Sequence, residues 1–124
     1  MNRLFLLLFL TISLSGFTQN QSEMNREAVE SYQKAEKELN STYKKVLEKY
    51  KSDTIFIDNL RTAQGVWIKF KDAELELKYP KRGPGHYGSV LPMCKALYLA
   101  ILTEKRIETL NNILKDPQEG DVCN

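Results

Sequence analysis

The chain has 124 residues, of which 42% are hydrophobic and 27% are charged, and this composition suits one ordinary globular domain. It is too short for a multidomain enzyme. The 18 Lys and Arg residues against 16 Asp and Glu give a formal charge of +2. A charge this small and evenly mixed does not indicate nucleic acid or an acidic membrane surface as the partner.

The start of the chain is typical of an export signal. A mostly apolar run from Leu4 to Leu14 is shorter than the roughly 20 residues that a membrane-spanning helix needs, and small residues follow it from Ser15. We therefore expect residues 1–19 to be a cleaved signal peptide. Residues 20–124 would then form a periplasmic or secreted helical domain without a membrane span, and an uncleaved anchor is the alternative.

Beyond residue 20, apolar side chains recur at steps of three or four residues, as on one face of an α-helix. Asn20 and Glu23 have the spacing of a capping box, which predicts that the first helix begins there. Its apolar stripe predicts one long amphipathic helix and consists of Met24, Ala28, Tyr32, Ala35, Leu39, Tyr43, Val46 and Tyr50.

Two further helices are predicted. The second runs from about Asp53 to Lys78, and its stripe consists of Phe56, Leu60, Ala63, Trp67, Phe70, Ala73 and Leu77. The third begins with Ser89 as its cap, tolerates Pro92 in its first turn and ends at Asp116-Pro117. Its apolar side consists of Met93, Leu97, Ala100 or Ile101, Leu110 and Leu114.

No alternating strand pattern separates these helices, so their apolar stripes can be buried only against one another. The sequence therefore predicts an all-α fold, an up-down-up three-helix bundle. We expect Phe56, Trp67 and Phe70 to anchor its centre, each burying roughly 150 to 250 Å².

The segment Tyr79–Gly88 is the one long loop, because its two Pro and three Gly oppose regular structure. Loops of mixed basic and aromatic composition often carry binding residues. The candidates are Lys81, Arg82, His86 and Tyr87. The alternative is a solvated connection whose glycines only turn the chain.

The two cysteines, Cys94 and Cys123, would meet an oxidising compartment after export. We expect them to form a disulfide, which would close a loop of about 30 residues and stabilise the fold by roughly 3 to 4 kcal/mol. A catalytic thiol is the alternative, and it would need a nearby base, for which His86 is the only histidine.

Catalytic motifs are absent from the sequence: there is no Gly-x-Ser-x-Gly, no phosphate-binding glycine loop with Lys and no His-Glu-x-x-His. One histidine and two distant cysteines do not make a zinc site. Close carboxylate pairs such as Asp72 and Glu76 are more typical of a solvated helix face. We predict no enzyme activity, no catalytic residue, no metal and no cofactor.

Several polar residues lie one step from core positions, where a side chain is partly covered and needs a partner. They are Asn25, Asn40, Arg61, Gln64 and Asp72. We expect interhelical hydrogen bonds that set the register of the bundle, with Arg61 or Lys69 able to reach Asp72. A ligand-binding role is the alternative.

The same residues carry a resemblance to a known family. The matching segments are Met24-Asn25, Tyr32-x-x-Ala35-x-x-x-Leu39-Asn40-x-x-Tyr43, Leu60-Arg61-x-Ala63-Gln64-x-x-Trp67-x-x-Phe70-x-Asp72-Ala73 and Leu99-Ala100-x-Leu102-Thr103-x-x-Arg106-x-x-x-Leu110. In order and spacing they resemble the LprI-type lysozyme inhibitor family. Members of that family commonly carry cysteines where this chain has Glu27, Leu75 and Tyr98, so the usual disulfide framework is absent.

The resemblance implies a small helical envelope protein whose partner is lysozyme or another envelope protein. Lysozymes work with carboxylates in a groove, so an inserted basic loop would pair with them and block the substrate. Lys81, Arg82, His86 and Tyr87 are the candidates for that loop. The alternative function is a non-inhibitory helical module that binds an envelope protein or a cell-wall fragment.

Overall fold

The computed structural model describes the backbone of residues 2–120 and 122–123, and the side chains of residues 20–120 and 122–123. The predicted signal peptide, residues 1–19, lies outside the described side chains, and its cleavage stays a prediction. Over the described part of the chain the structure consists of helices, with no strand. The long helices are α1 (Asn2–Lys49), α2 (Thr54–Lys78) and α3 (Leu91–Leu114), and a short 3-10 helix, Gly88–Val90, precedes α3.

The three helices run up, down and up, as the sequence predicts. α1 and α3 are parallel, because their N-terminal sides meet where Asn25 Nδ2 donates to the Ser89 carbonyl at 2.9 Å. Their C-terminal ends meet where Lys49 Nζ donates to the Leu114 carbonyl, also at 2.9 Å. The short turn between α1 and α2 reverses the chain, so α2 runs in the opposite direction.

The predicted start and end of α2 are confirmed. Asp53 is the N-cap residue, and its carboxylate accepts a hydrogen bond from the Phe56 N–H at 3.0 Å. At the other end the Tyr79 N–H donates to the Leu75 carbonyl at 2.9 Å.

Two predicted helix starts are wrong. α1 already includes Asn20, which is therefore not an N-cap residue, and Glu23 pairs with Arg26 at 3.8 Å. Ser89 lies within the 3-10 helix, so Val90 occupies the N-cap position of α3 without a side-chain cap. Pro92 is in the first turn of α3, as predicted.

The core lies at the end of the bundle where α1 ends and α2 begins. Its buried side chains are Leu39, Val46, Leu60, Ile107 and Leu110, and the side chains packed around them include Tyr50, Phe56 and Trp67. Farther along, the buried apolar side chains of α1 and α3 are all small: Ala28, Ala35, Ala96 and Ala100. Small side chains let two helices approach closely, so α1 and α3 form the main contact of the fold.

α2 packs more lightly, and Leu60 is its one buried side chain. Phe70 is 50% exposed, so the prediction that it anchors the centre is wrong. The reason is the rotation of α2, which turns Gln64 and Lys71 toward polar partners on α3 and α1 and leaves Phe70 at the side. Within the described part of the chain, no helix is both long and apolar enough to span a membrane.

Candidate functional site

The loop between α2 and α3 is held in one shape by hydrogen bonds within it. The Tyr87 hydroxyl donates to the Pro80 carbonyl at 2.7 Å, and the His86 N–H donates to the Gly83 carbonyl at 3.3 Å. Gly85 and Gly88 have φ values of 75° and 70°. Side chains with a Cβ atom rarely adopt this left-handed conformation, so glycine suits both turns.

Aromatic rings attach this loop to the helices. The Tyr79 ring lies edge-on to the rings of Tyr87 and Tyr98, with centroids 5.9 and 6.4 Å apart. The ring of His86 lies against Tyr87 at 4.7 Å. Lys78 Nζ lies 4.9 Å from the centroid of the Tyr98 ring. The loop therefore rests on α3 through a series of rings.

Tyr79 and Tyr98 stay protonated at neutral pH. Burial raises the pKa of Tyr79, and the neighbouring Cys94 thiol adds to the effect. Burial also raises the pKa of Tyr98, as does the hydrogen bond that its hydroxyl donates to Glu74 Oε2 at 3.1 Å. Both tyrosines therefore support the loop as neutral groups.

The loop and the adjoining helix ends line a cleft of about 710 Å³ that is open to solvent. All four predicted loop residues line it, together with Lys95 from α3 and Glu76 from α2; the full lining is Glu76, Tyr79, Pro80, Lys81, Arg82, Gly83, Gly85, His86, Tyr87, Gly88, Leu91 and Lys95. Three permanent cations and one imidazole thus face one carboxylate. Such a surface favours anionic groups.

Sequence reasoning missed Lys95 and Glu76. The end of α2 and the start of α3 necessarily meet where the loop joins them, so charged residues in those two turns were the available signal. Lys95 follows Leu91 by one helical turn, and both line the cleft.

The five polar residues of the matching segments lie in different environments: two form hydrogen bonds to another element and three are exposed. Asn25 joins α1 to the 3-10 helix through Ser89, and Gln64 Oε1 accepts a hydrogen bond from Arg106 Nε of α3 at 2.9 Å. Asn40, Arg61 and Asp72 are exposed. Over residues 20–120, none of these three forms an interhelical hydrogen bond or ion pair, including the predicted contact of Arg61 or Lys69 with Asp72.

A polar layer around Trp67 was also missed, although Arg106 and Tyr32 are part of the matching segments. Lys71 Nζ donates to the Tyr32 hydroxyl at 3.0 Å, and that hydroxyl donates to Glu36 Oε1 at 2.7 Å. Lys71 and Arg106 lie 5.4 and 6.0 Å from the centroid of the Trp67 ring. Burial raises the pKa of Tyr32 and lowers that of Arg106. The layer links all three helices.

Cys94 and Cys123 are not bonded to each other in this structure. Cys94 is half-buried in α3 next to Tyr79, and Cys123 is exposed in the C-terminal tail. The disulfide stays a prediction. Among the described residues, no group of three His, Cys, Asp or Glu side chains is placed to hold a metal ion.

Comparison with known proteins places these features in a family. A family model described as lysozyme inhibitor LprI matches residues 15–110. An uncharacterized protein of Rhizobium meliloti (strain 1021) is 30% identical over 111 residues, which cover 80% of this chain and 77% of the relative. No solved structure matches the chain. The match includes all of α2, most of α1 and α3 and the loop between α2 and α3, and the chain belongs to the LprI lysozyme inhibitor family.

Proposed function

We propose that this protein inhibits lysozyme by placing the loop between α2 and α3 in the active-site groove of the enzyme. The observation that carries the proposal is the convergence of Lys81, Arg82, His86 and Lys95 on one cleft whose lining contains a single carboxylate, Glu76. Lysozyme cleaves its substrate with two carboxyl groups that flank the scissile bond. A cationic surface opposite them is complementary in charge and occupies the position of the sugar.

The shape of the loop supports this role. An ordered loop loses less conformational entropy on binding than a flexible one. The Tyr87 hydrogen bond to Pro80 and the ring contacts of Tyr79 hold the loop before any partner arrives. Lys81, Arg82 and His86 are nevertheless exposed, so their charged and hydrogen-bonding groups are available to a partner.

The same proposal requires the protein to meet lysozyme outside the cytoplasm. The apolar run from Leu4 to Leu14 and the small residues after it support export, and thus a periplasmic or secreted location.

The test is the rate at which lysozyme clears a suspension of bacterial cell walls in the presence of micromolar purified protein. We expect inhibition by the wild type, and inhibition weakened by at least tenfold in the triple variant Lys81→Ala, Arg82→Ala, His86→Ala, because it removes most of the cationic cleft. The matched control, Lys44→Ala with Lys45→Ala, removes two exposed charges from α1 and should inhibit like the wild type.

The outcomes separate the two parts of the proposal. Full inhibition by the triple variant would remove the loop from the mechanism while keeping lysozyme as the target. A wild-type protein without effect on lysozyme would contradict the function itself.

A further inference from the structure

α2 presents an apolar stripe to solvent, which we name the α2 stripe: Ala63, Val66, Phe70, Ala73 and Leu77. All five residues are exposed. Val66 is 61% exposed and Leu77 is 74% exposed. The buried side of α2 is a different one, formed around Leu60 and Trp67, so the fold of one chain does not require the α2 stripe to be apolar. Contiguous apolar residues on a surface mark an interaction site.

The spacing of the α2 stripe is that of a coiled-coil seam. Its members alternate steps of three and four residues, which keeps them on one line facing a partner helix. The alternation also places one small residue, Ala73, between the larger Phe70 and Leu77. At one side the stripe continues onto α3, because Phe70 and Ile101 line the same groove and Ile101 is also exposed.

We propose that the protein forms a homodimer in which the α2 stripes of two copies pack against each other in antiparallel orientation. With the two-fold axis between Lys71 and Asp72, Phe70 packs on Ala73 of the second copy and Val66 packs on Leu77 of the second copy. The first kind of layer pairs a large side chain with a small one, and the second pairs two aliphatic side chains. A parallel dimer would instead place Phe70 against Phe70 and Ala73 against Ala73, one layer overfilled and the next one empty.

The charges beside the α2 stripe favour the same arrangement. Lys69 and Glu76 flank it on the side away from the core, one heptad apart. In the antiparallel dimer Lys69 lies beside Glu76 of the second copy, and the symmetry makes this contact twice. Within residues 20–120 neither side chain has an ion-pair partner in its own chain, so both are available. The formal net charge of +2 produces little repulsion between copies.

The size of the surface sets the strength of the association. The paired part of the α2 stripe, from Val66 to Leu77, is about 17 Å long, at roughly 1.5 Å per residue. A stable interface buries roughly 800 Å² on each partner, and one short helical seam provides less than that. We therefore expect a reversible dimer that forms at micromolar concentration and dissociates on dilution.

Sedimentation equilibrium of the purified protein, from about 1 to about 500 μM, tests the proposal. The wild type should pass from monomer to dimer over this range. Lys69→Glu places like charges together twice and should raise the dissociation constant about tenfold, and Glu76→Lys should do the same. The double variant Lys69→Glu, Glu76→Lys restores both pairs with reversed signs and should dimerise like the wild type.

The apolar contact has its own matched pair of variants. Val66→Lys places a charge in the α2 stripe and should keep the protein monomeric. Ile68→Lys places the same charge on the opposite side of α2, where Ile68 is 47% exposed, and should leave dimerisation unchanged. Circular dichroism verifies that each variant is folded. A wild type that stays monomeric, a double variant that is not restored, or equal effects at positions 66 and 68 would each overturn the proposal.

Discussion

Side chains in the core contribute unequally to stability. Leu110 is the largest fully buried side chain among the described residues. It is fully buried on α3, where it joins the cluster formed by Val46, Leu60 and Ile107. Leu97 lies on the same helix but is exposed. Because the cost of truncating a side chain depends on how deeply it is buried, we expect these two leucines to contribute unequally to stability.

We expect Leu110→Ala to lower the free energy of unfolding by about 2 to 5 kcal/mol, because it removes buried methyl groups and leaves a cavity among three helices. Leu97→Ala is the control and should lower it by less than about 1 kcal/mol. Urea unfolding followed by circular dichroism measures both. Equal losses in the two variants would contradict the core assigned here.

Leu75, Tyr98 and Glu27, at the positions where the resemblance implies cysteines in other members, fit the fold of this chain without sulfur. Leu75 and Tyr98 are half-buried, and Tyr98 donates a hydrogen bond to Glu74 across the contact between α2 and α3. Glu27 is exposed on α1. A hydrogen bond between side chains thus joins α2 to α3 at this place.

At the scale of elements, α2 depends on its cap as well as on its packing. Asp53 is exposed, and its carboxylate satisfies the Phe56 N–H at the positive end of the helix dipole. Since α2 has only one buried side chain, we expect local interactions of this kind to matter more for α2 than for α1 or α3.

Asp53→Ala removes this cap and should lower the free energy of unfolding by about 1 kcal/mol. Asp53→Asn keeps a side-chain oxygen at the same position, so it should lose much less. The urea midpoints of the two variants decide the matter, and a loss in Asp53→Asn as large as that in Asp53→Ala would show that the negative charge, rather than the hydrogen bond, is what stabilises α2.

The elements also show what could be predicted from sequence. The number and order of the three helices and the bounds of α2 depend on neighbouring residues, so periodicity and spacing were enough to predict them. The rotation of α2 was not predictable, because its apolar residues cover a broad face and the polar partners of Gln64 and Lys71 lie on other helices. Phe70 was therefore misplaced. Lys95, by contrast, was predictable, because the loop leads directly into the first turns of α3.

At the scale of the whole molecule, we expect the stability of the fold to decrease at alkaline pH. Burial is the main cause that raises the pKa of Tyr32, followed by its hydrogen bond to Glu36. The folded protein therefore holds this proton more tightly than the unfolded chain, in which tyrosine has a pKa of about 10. The contribution of the protonated Tyr32 to the free energy of unfolding is fully present below that pH and is lost as the pH rises above it. Tyr79 and Tyr98, whose pKa values are also raised, act in the same direction.

We expect urea midpoints to be level up to about pH 9 and to fall above about pH 10. Tyr32→Phe removes one ionisable phenol from the polar layer, so its midpoint should start lower and then fall less steeply. An identical slope for the wild type and Tyr32→Phe would show that Tyr32 is not responsible for the alkaline loss.

The parallel arrangement of α1 and α3 has a practical consequence. The contact between Asn25 and Ser89 places the beginning of the described side chains at the same end of the molecule as the cationic cleft. The tail after Leu114 leaves from the opposite end, beside Lys49. A purification tag or fluorophore fused ahead of residue 20 would crowd the cleft, whereas immobilisation through the C-terminal tail would leave it facing the solution.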